Sequence, residues 1–235
     1  MYNELTKLLL PVAFLMTFAG LVYYAIRRAR LDSQKREEAL NQAGFEKVSA
    51  LDAKISSELT GLLRRNDAEV RLEEIYRMRR VGFDIYSFGF RTDKSGKIER
   101  NHMAIYDPSF GLPRFSITPS VNFPKAVAGL FGKLIDHVAG SAGLQRVTLP
   151  DATRFAAKYV LFGKSLQEII SRVPEPIWER LAAIDGHLMI DAGGSTIVFQ
   201  TSSAFDGPKK QASIPQEDSG FRAELDTAER LHHVF

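Results

Sequence analysis

The chain has 235 residues, 45% of them hydrophobic and 25% charged, with a formal net charge of +3 and no cysteine. Without cysteine, disulfides, thiolate metal sites and cysteine nucleophiles are excluded. One short run holds Arg27, Arg28, Arg30, Lys35 and Arg36 against Asp32, so the run carries +4 and the rest of the chain −1; no basic folded surface of the kind nucleic-acid binding requires is left over, and nucleic acid is not an expected partner.

The first element is Leu8 to Ile26, nineteen residues without a charge. At about 1.5 Å per residue it makes roughly 28 Å of helix, close to the hydrocarbon thickness of a bilayer. Tyr23 and Tyr24 followed by Arg27, Arg28 and Arg30 match the aromatic and basic residues that end a membrane span at the headgroups, where a cleaved signal peptide would carry a small-residue cleavage site instead. The basic excess lies on the C-terminal side, which predicts a single-pass anchor in the inner membrane with the large domain in the cytoplasm. Arg27, Arg28, Arg30, Lys35 and Arg36 are also candidate contacts for anionic lipid headgroups, although a topology signal alone accounts for them.

Residues 27–44 read as a polar helical stalk that Gly44 ends. A soluble domain is expected over 45–201. It opens with a helix from Ala50 to about Arg64, capped at Ser49, with Leu51, Ile55, Leu59, Leu62 and Leu63 on one stripe. Residues 70–106 read as an antiparallel meander, turning at Asp93-Lys94-Ser95-Gly96. Arg114 to Thr118 is a further strand. Val127, Leu130, Phe131 and Leu134 share a helical face, weakened by Gly129 and Gly132. Gln145–Leu149 and Phe155–Phe162 read as strands. Ser165 caps a short helix, Pro174 stops it, and Pro176 starts another with Trp178, Leu181 and Ile184 inward. A hairpin from His187 to Thr201 closes the domain. Residues 202–235 read as a flexible linker and a short amphipathic helix on Phe221, Leu225, Ala228, Leu231 and Phe235.

The fold class expected is therefore α+β: one N-terminal transmembrane helix, then a mainly antiparallel sheet with packed helices and a partly disordered C-terminal tail. The order of an N-terminal membrane helix, a charged stalk, "GFDIYSFGFRTDKSGK", "LPRFSITP", "FAAKYVLFGKSLQEIISRVPEPIWERL" and "HLMIDAGGSTIVF" resembles a group of bacterial membrane-anchored proteins of unknown function. The resemblance spans roughly residues 8–201. It implies no activity, so it assigns no catalytic residue.

Candidate chemistry is sparse. Gly163-Lys164-Ser165 looks like the end of a phosphate-binding loop, but the upstream glycine position holds Lys158, so a strand end and helix cap is the reading. His102, His137, His187, His232 and His233 contain no pair spaced for zinc. Asp136 and His137 with Ser141 have the residue types of a triad without a nucleophile elbow. His232 and His233 are expected to be solvated, and Trp178 and the aromatic strand Phe83–Phe90 to fill the core. No catalytic, metal or cofactor site is predicted. The expected function is a membrane-anchored, cytoplasm-facing module that binds a protein partner or the lipid bilayer. The alternative is a ligand-binding or hydrolase domain with an apolar pocket between sheet and helices.

Overall fold

The computed structural model describes residues 18, 23–24, 27–28, 31, 33–65, 68–96, 98–120, 133, 136–202 and 217–235. The chain divides into two compact units, Met1–Gly44 and Phe45–Phe235. In the first, residues 33–42 are helical. The helix ends at Gly44, whose positive φ of 90° lets its amide turn back to the Asn41 carbonyl at 3.0 Å. The proposed membrane stretch lies outside the described residues except for Phe18, Tyr23 and Tyr24, which are helical and more than half exposed. Among the described residues no helix is long and apolar enough to cross a membrane.

The second unit is α+β and mainly antiparallel. Among the described residues its nine strands are β1 (Glu46–Lys47), β2 (Val70–Arg79), β3 (Asp84–Thr92), β4 (Ile98–Tyr106), β5 (Leu112–Pro119), β6 (Gln145–Val147), β7 (Tyr159–Gly163), β8 (His187–Gly194) and β9 (Thr196–Ser202). They form one sheet in the order β1-β2-β3-β4-β9-β8-β5-β7-β6. The meander expected over 70–106 is present as β2, β3 and β4. The β8–β9 hairpin does not lie at the end of the sheet. It enters the centre, β9 pairing with β4 (Ala104 opposite Val198) and β8 with β5 (Ser116 opposite Asp191).

One face is covered by α1 (Ala53–Leu63). Asp52 caps this helix, accepting the Lys54 amide at 2.8 Å, so it starts three residues later than the Ser49 reading. The cap fell to the residue whose carboxylate reaches the open helix amides. Ile55, Leu59, Leu62 and Leu63 pack on Val70, Tyr86, Phe88, Phe90, Ala104 and Val198. Each large side chain so buried contributes about 1.5–3 kcal/mol.

The opposite face carries α2 (Thr153–Lys158), α3 (Leu166–Arg172), α4 (Glu175–Ala183) and α5 (Glu217–Val234). The Phe155–Phe162 segment, read as one strand, is the helix α2 followed by β7. Only Phe155 of α2 is buried there, edge-on to Trp178 at 5.2 Å, while Ala156 and Ala157 face outward with Lys158 at the last turn. Two helix-favouring alanines therefore continue the helix, and pairing with β5 starts only at Tyr159. Trp178 fills the core as expected, its indole N–H donating to the Val173 carbonyl at 3.2 Å. Ser165 caps α3 by accepting the Glu168 amide at 3.1 Å. Lys158 donates to the Ala182 and Ile184 carbonyls at the end of α4, where cationic groups complement the helix dipole.

Strand β2 carries a bulge between Glu73 and Tyr76, and Glu74 takes φ +51° there. A non-glycine residue at positive φ costs about 1–3 kcal/mol. The helix read around Val127–Leu134 lies outside the described residues except for Lys133, which is helical; of the linker read from Ser202 to Gly220, residues 203–216 lie outside them, Ser202 ends β9 and 217–220 belong to α5.

Candidate functional site: a half-open pocket beside a two-arginine clamp

Among the described residues the α1 face is only partly covered, and the uncovered part holds a cavity of about 380 Å³. It lies beyond the C-terminal end of α1. Leu63, Phe90, Met189 and Val198 form its apolar floor and wall. Polar groups enter from separate elements: Arg65 from the loop after α1, His102 from β4, Asp191 from β8 and Gln200 from β9, with Lys94 and Glu99 at the exposed rim. The ring of His102 meets Phe90 edge-on at 4.8 Å.

Strand alternation explains the assembly. Ala104 opposes Val198, which opposes Asp191, which opposes Ser116, so these side chains share the α1 face. His102, Gln200, Met189 and Arg114 are two residues along in the same strands and therefore point to that face too. Glycine sets how closely α1 approaches. A Cβ at Gly193 would lie 3.4 Å from Leu62 and Arg114 side-chain atoms, and one at Gly194 would lie 3.3 Å from the Glu58 carboxylate. Gly194 also needs its φ of +64° for the hairpin turn. Glu58 in turn accepts the Ser195 amide at 3.2 Å and the Thr196 hydroxyl at 2.6 Å, pinning α1 to the hairpin.

The clamp follows at the C-terminal end of α1. Arg65 Nη2 donates to both Asp191 oxygens at 2.8 Å, and Arg65 Nη1 donates to the Leu62 carbonyl at 2.8 Å. Arg114 Nη2 donates to the same Leu62 carbonyl at 2.8 Å and stands 3.9 Å from Asp191 Oδ1. The second nitrogen, Arg114 Nη1, is buried and has no hydrogen-bond partner. Two guanidinium groups thus share one carboxylate. Burial pulls Arg114 below its ordinary value; Asp191 opposes this and Arg65 adds to it.

A second polar centre lies on the opposite face. Asp107 Oδ1 accepts the Ser109 amide at 2.7 Å and its hydroxyl at 2.6 Å, and Oδ2 meets His232 Nε2 at 2.9 Å. His232 stacks on Phe83 with ring centroids 3.7 Å apart. The expectation that His232 is solvated is therefore corrected: α5 docks through fully buried Ala228 and Leu231, and His232 meets Phe83, just before β3, and Asp107, just after β4. Burial raises the Asp107 carboxyl, but the Ser109 and His232 hydrogen bonds outweigh it and hold the group below its ordinary value. Ser109 donates to the aspartate rather than to the histidine, so this is an anchor for α5 and has no activated hydroxyl.

Of the sequence-derived candidates, Asp136 accepts from Arg146 at 3.0 Å and the Ser141 hydroxyl donates to the Val138 carbonyl at 2.6 Å, so the triad types are engaged elsewhere. Arg27, Arg28 and Lys35 are helical and exposed, Arg36 is helical and half-buried, and Arg30 lies outside the described residues. Among the described residues no group of three His, Asp or Glu side chains is placed to hold a metal ion. Sequence reading missed Arg65, Arg114 and Asp191. Arg114 was visible as a charge inside a strand whose neighbours Phe115 and Ile117 are apolar, but its partner is 52 residues away along the chain. Comparison with protein-family models, characterised proteins and solved structures yields no match, so no role passes to these residues from a relative and the resemblance rests on its motifs alone.

Proposed function

We propose that this protein is a membrane-tethered binding module whose folded unit takes a small molecule in the pocket beside α1. The observation that carries the reading is a 380 Å³ cavity with an apolar floor and polar groups converging from four elements. That size lies within the range of about 300–1,000 Å³ typical of small-molecule sites. The tether is supported by the uncharged stretch Leu8–Ile26 and by the exposed helical Phe18, Tyr23 and Tyr24 before the basic run. Binding is favoured over bond-making because the reactive groups near the pocket are spent on each other, Arg65 on Asp191 above all.

Two measurements test the two halves. Full-length protein should stay with the membrane pellet after a high-salt wash and be released only by detergent; release by salt overturns the tether. Met189 is 41% exposed and lines the cavity, so Met189→Trp fills the space with little cost to folding. A ligand retained by the wild-type protein after purification, and seen by native mass spectrometry, should be lost in this variant. Equal retention in both proteins overturns the pocket.

A further inference from the structure

We infer that the pocket selects an anionic ligand, a carboxylate or phosphate ester carried on an apolar body, and that Arg65 is the residue that binds its charge while Arg114 takes over Asp191. This rests on the pocket reading above and adds the class of ligand. The argument begins from charge. Arg65 and Asp191 line the cavity, and Arg114 beside them adds a second guanidinium to the one carboxylate. Glu58, the next carboxylate along α1, already accepts from Ser195 and Thr196. A buried guanidinium that lacks a full set of acceptors costs free energy, because water that would have satisfied it is excluded. The excess cation is therefore a standing vacancy for negative charge.

Geometry says which arginine moves. Arg65 lines the cavity and its side chain is 29% exposed, so it can turn toward an incoming anion. Arg114 is 18% exposed, its Nη2 is held by the Leu62 carbonyl, and its Nη1 is buried without a hydrogen-bond partner. The 3.9 Å between Arg114 Nη2 and Asp191 Oδ1 is a short shift away from a hydrogen bond of about 2.8 Å. When Arg65 lets go of Asp191 to grip the ligand, Arg114 keeps the carboxylate paired. A single arginine would leave the half-buried Asp191 without a cationic partner at that moment, which is unfavourable. The apolar floor of Leu63, Phe90, Met189 and Val198 takes the rest of the ligand.

The test uses the full chain in nanodiscs of neutral lipid with its methionine methyl groups labelled with carbon-13. The Met189 resonance, identified by its loss in Met189→Leu, reports on the pocket. Benzoate, benzyl alcohol and benzylammonium have the same shape and differ in charge. Benzoate is expected to bind about ten-fold or more tightly than benzyl alcohol, the size of a charge-assisted hydrogen bond. That gap should vanish in Arg65→Gln and return in Arg65→Lys. In Arg114→Gln the folded spectrum should persist with the benzoate preference reduced. Equal binding of benzoate and benzyl alcohol, or a preference for benzylammonium, overturns the inference but leaves the pocket standing. No shift of Met189 with any of the three overturns the pocket reading together with it.

Discussion

The two faces of the sheet solve the same burial problem in opposite ways. Behind the sheet, four helices close a dry aromatic layer in which Trp178 meets Phe115 at 5.6 Å and Phe155 at 5.2 Å, and Phe115 stacks on Phe235 at 6.1 Å. In front, α1 covers its part of the strands, is tied down by charged groups, and ends beside a cavity. The closed face supplies stability through close packing. The open face trades some of that for polar groups held at defined positions, which is the composition a recognition site needs.

If the contrast holds, the largest loss comes from the closed face. Trp178→Ala should cost about 3–5 kcal/mol in urea unfolding followed by circular dichroism. A cost below 1 kcal/mol breaks the comparison. Next comes Gly163→Ala: a Cβ there runs into the Ile169 side chain of α3, and such overpacking costs about 1–3 kcal/mol. Ile169→Ala in the same chain should recover part of it.

Acid acts on the anchor of α5. A carboxyl held below its ordinary value, as Asp107 is, contributes stability above the unfolded value of about 3.9 and loses it as pH falls through the lower folded value. Trp178 emission should therefore change below about pH 4, because Phe115 links it to Phe235 beyond the end of α5. Asp107→Asn should flatten that change, and an unchanged profile shows that α5 is held without it. The smallest effect expected is a gain. Glu74→Gly relieves the positive φ at an exposed bulge and should raise stability by up to about 1 kcal/mol. A loss of stability there means that the glutamate side chain contributes more than its backbone strain costs.

Local chemistry carried much of the architecture. The turn at Gly96, the helix end at Gly44 and the cap at Ser165 follow from residue types that favour those conformations. Strand β3 shows where such reading stops. Its residues from Ile85 to Phe90 are all buried, Ser87 and Gly89 included, because helices cover both faces. An alternating pattern points to one buried face and cannot reveal a second cover. The docking of α5 was equally hidden: its stripe of Ala228 and Leu231 says that something is covered, and only the packed structure supplies Phe83 and Asp107 as the partners of His232.

The uncharged stretch Leu8–Ile26, the basic run and the turns are properties of neighbouring residues, which composition and short-range sterics alone define. The site is of another kind. Arg65, Arg114 and Asp191 meet because the β8–β9 hairpin inserts between β4 and β5 and α1 lies across it, joining positions up to 126 residues apart. Strand order in an antiparallel sheet depends on which burial arrangement of the whole chain has the lowest free energy. No local segment encodes that choice, and the pocket exists only once it has been made.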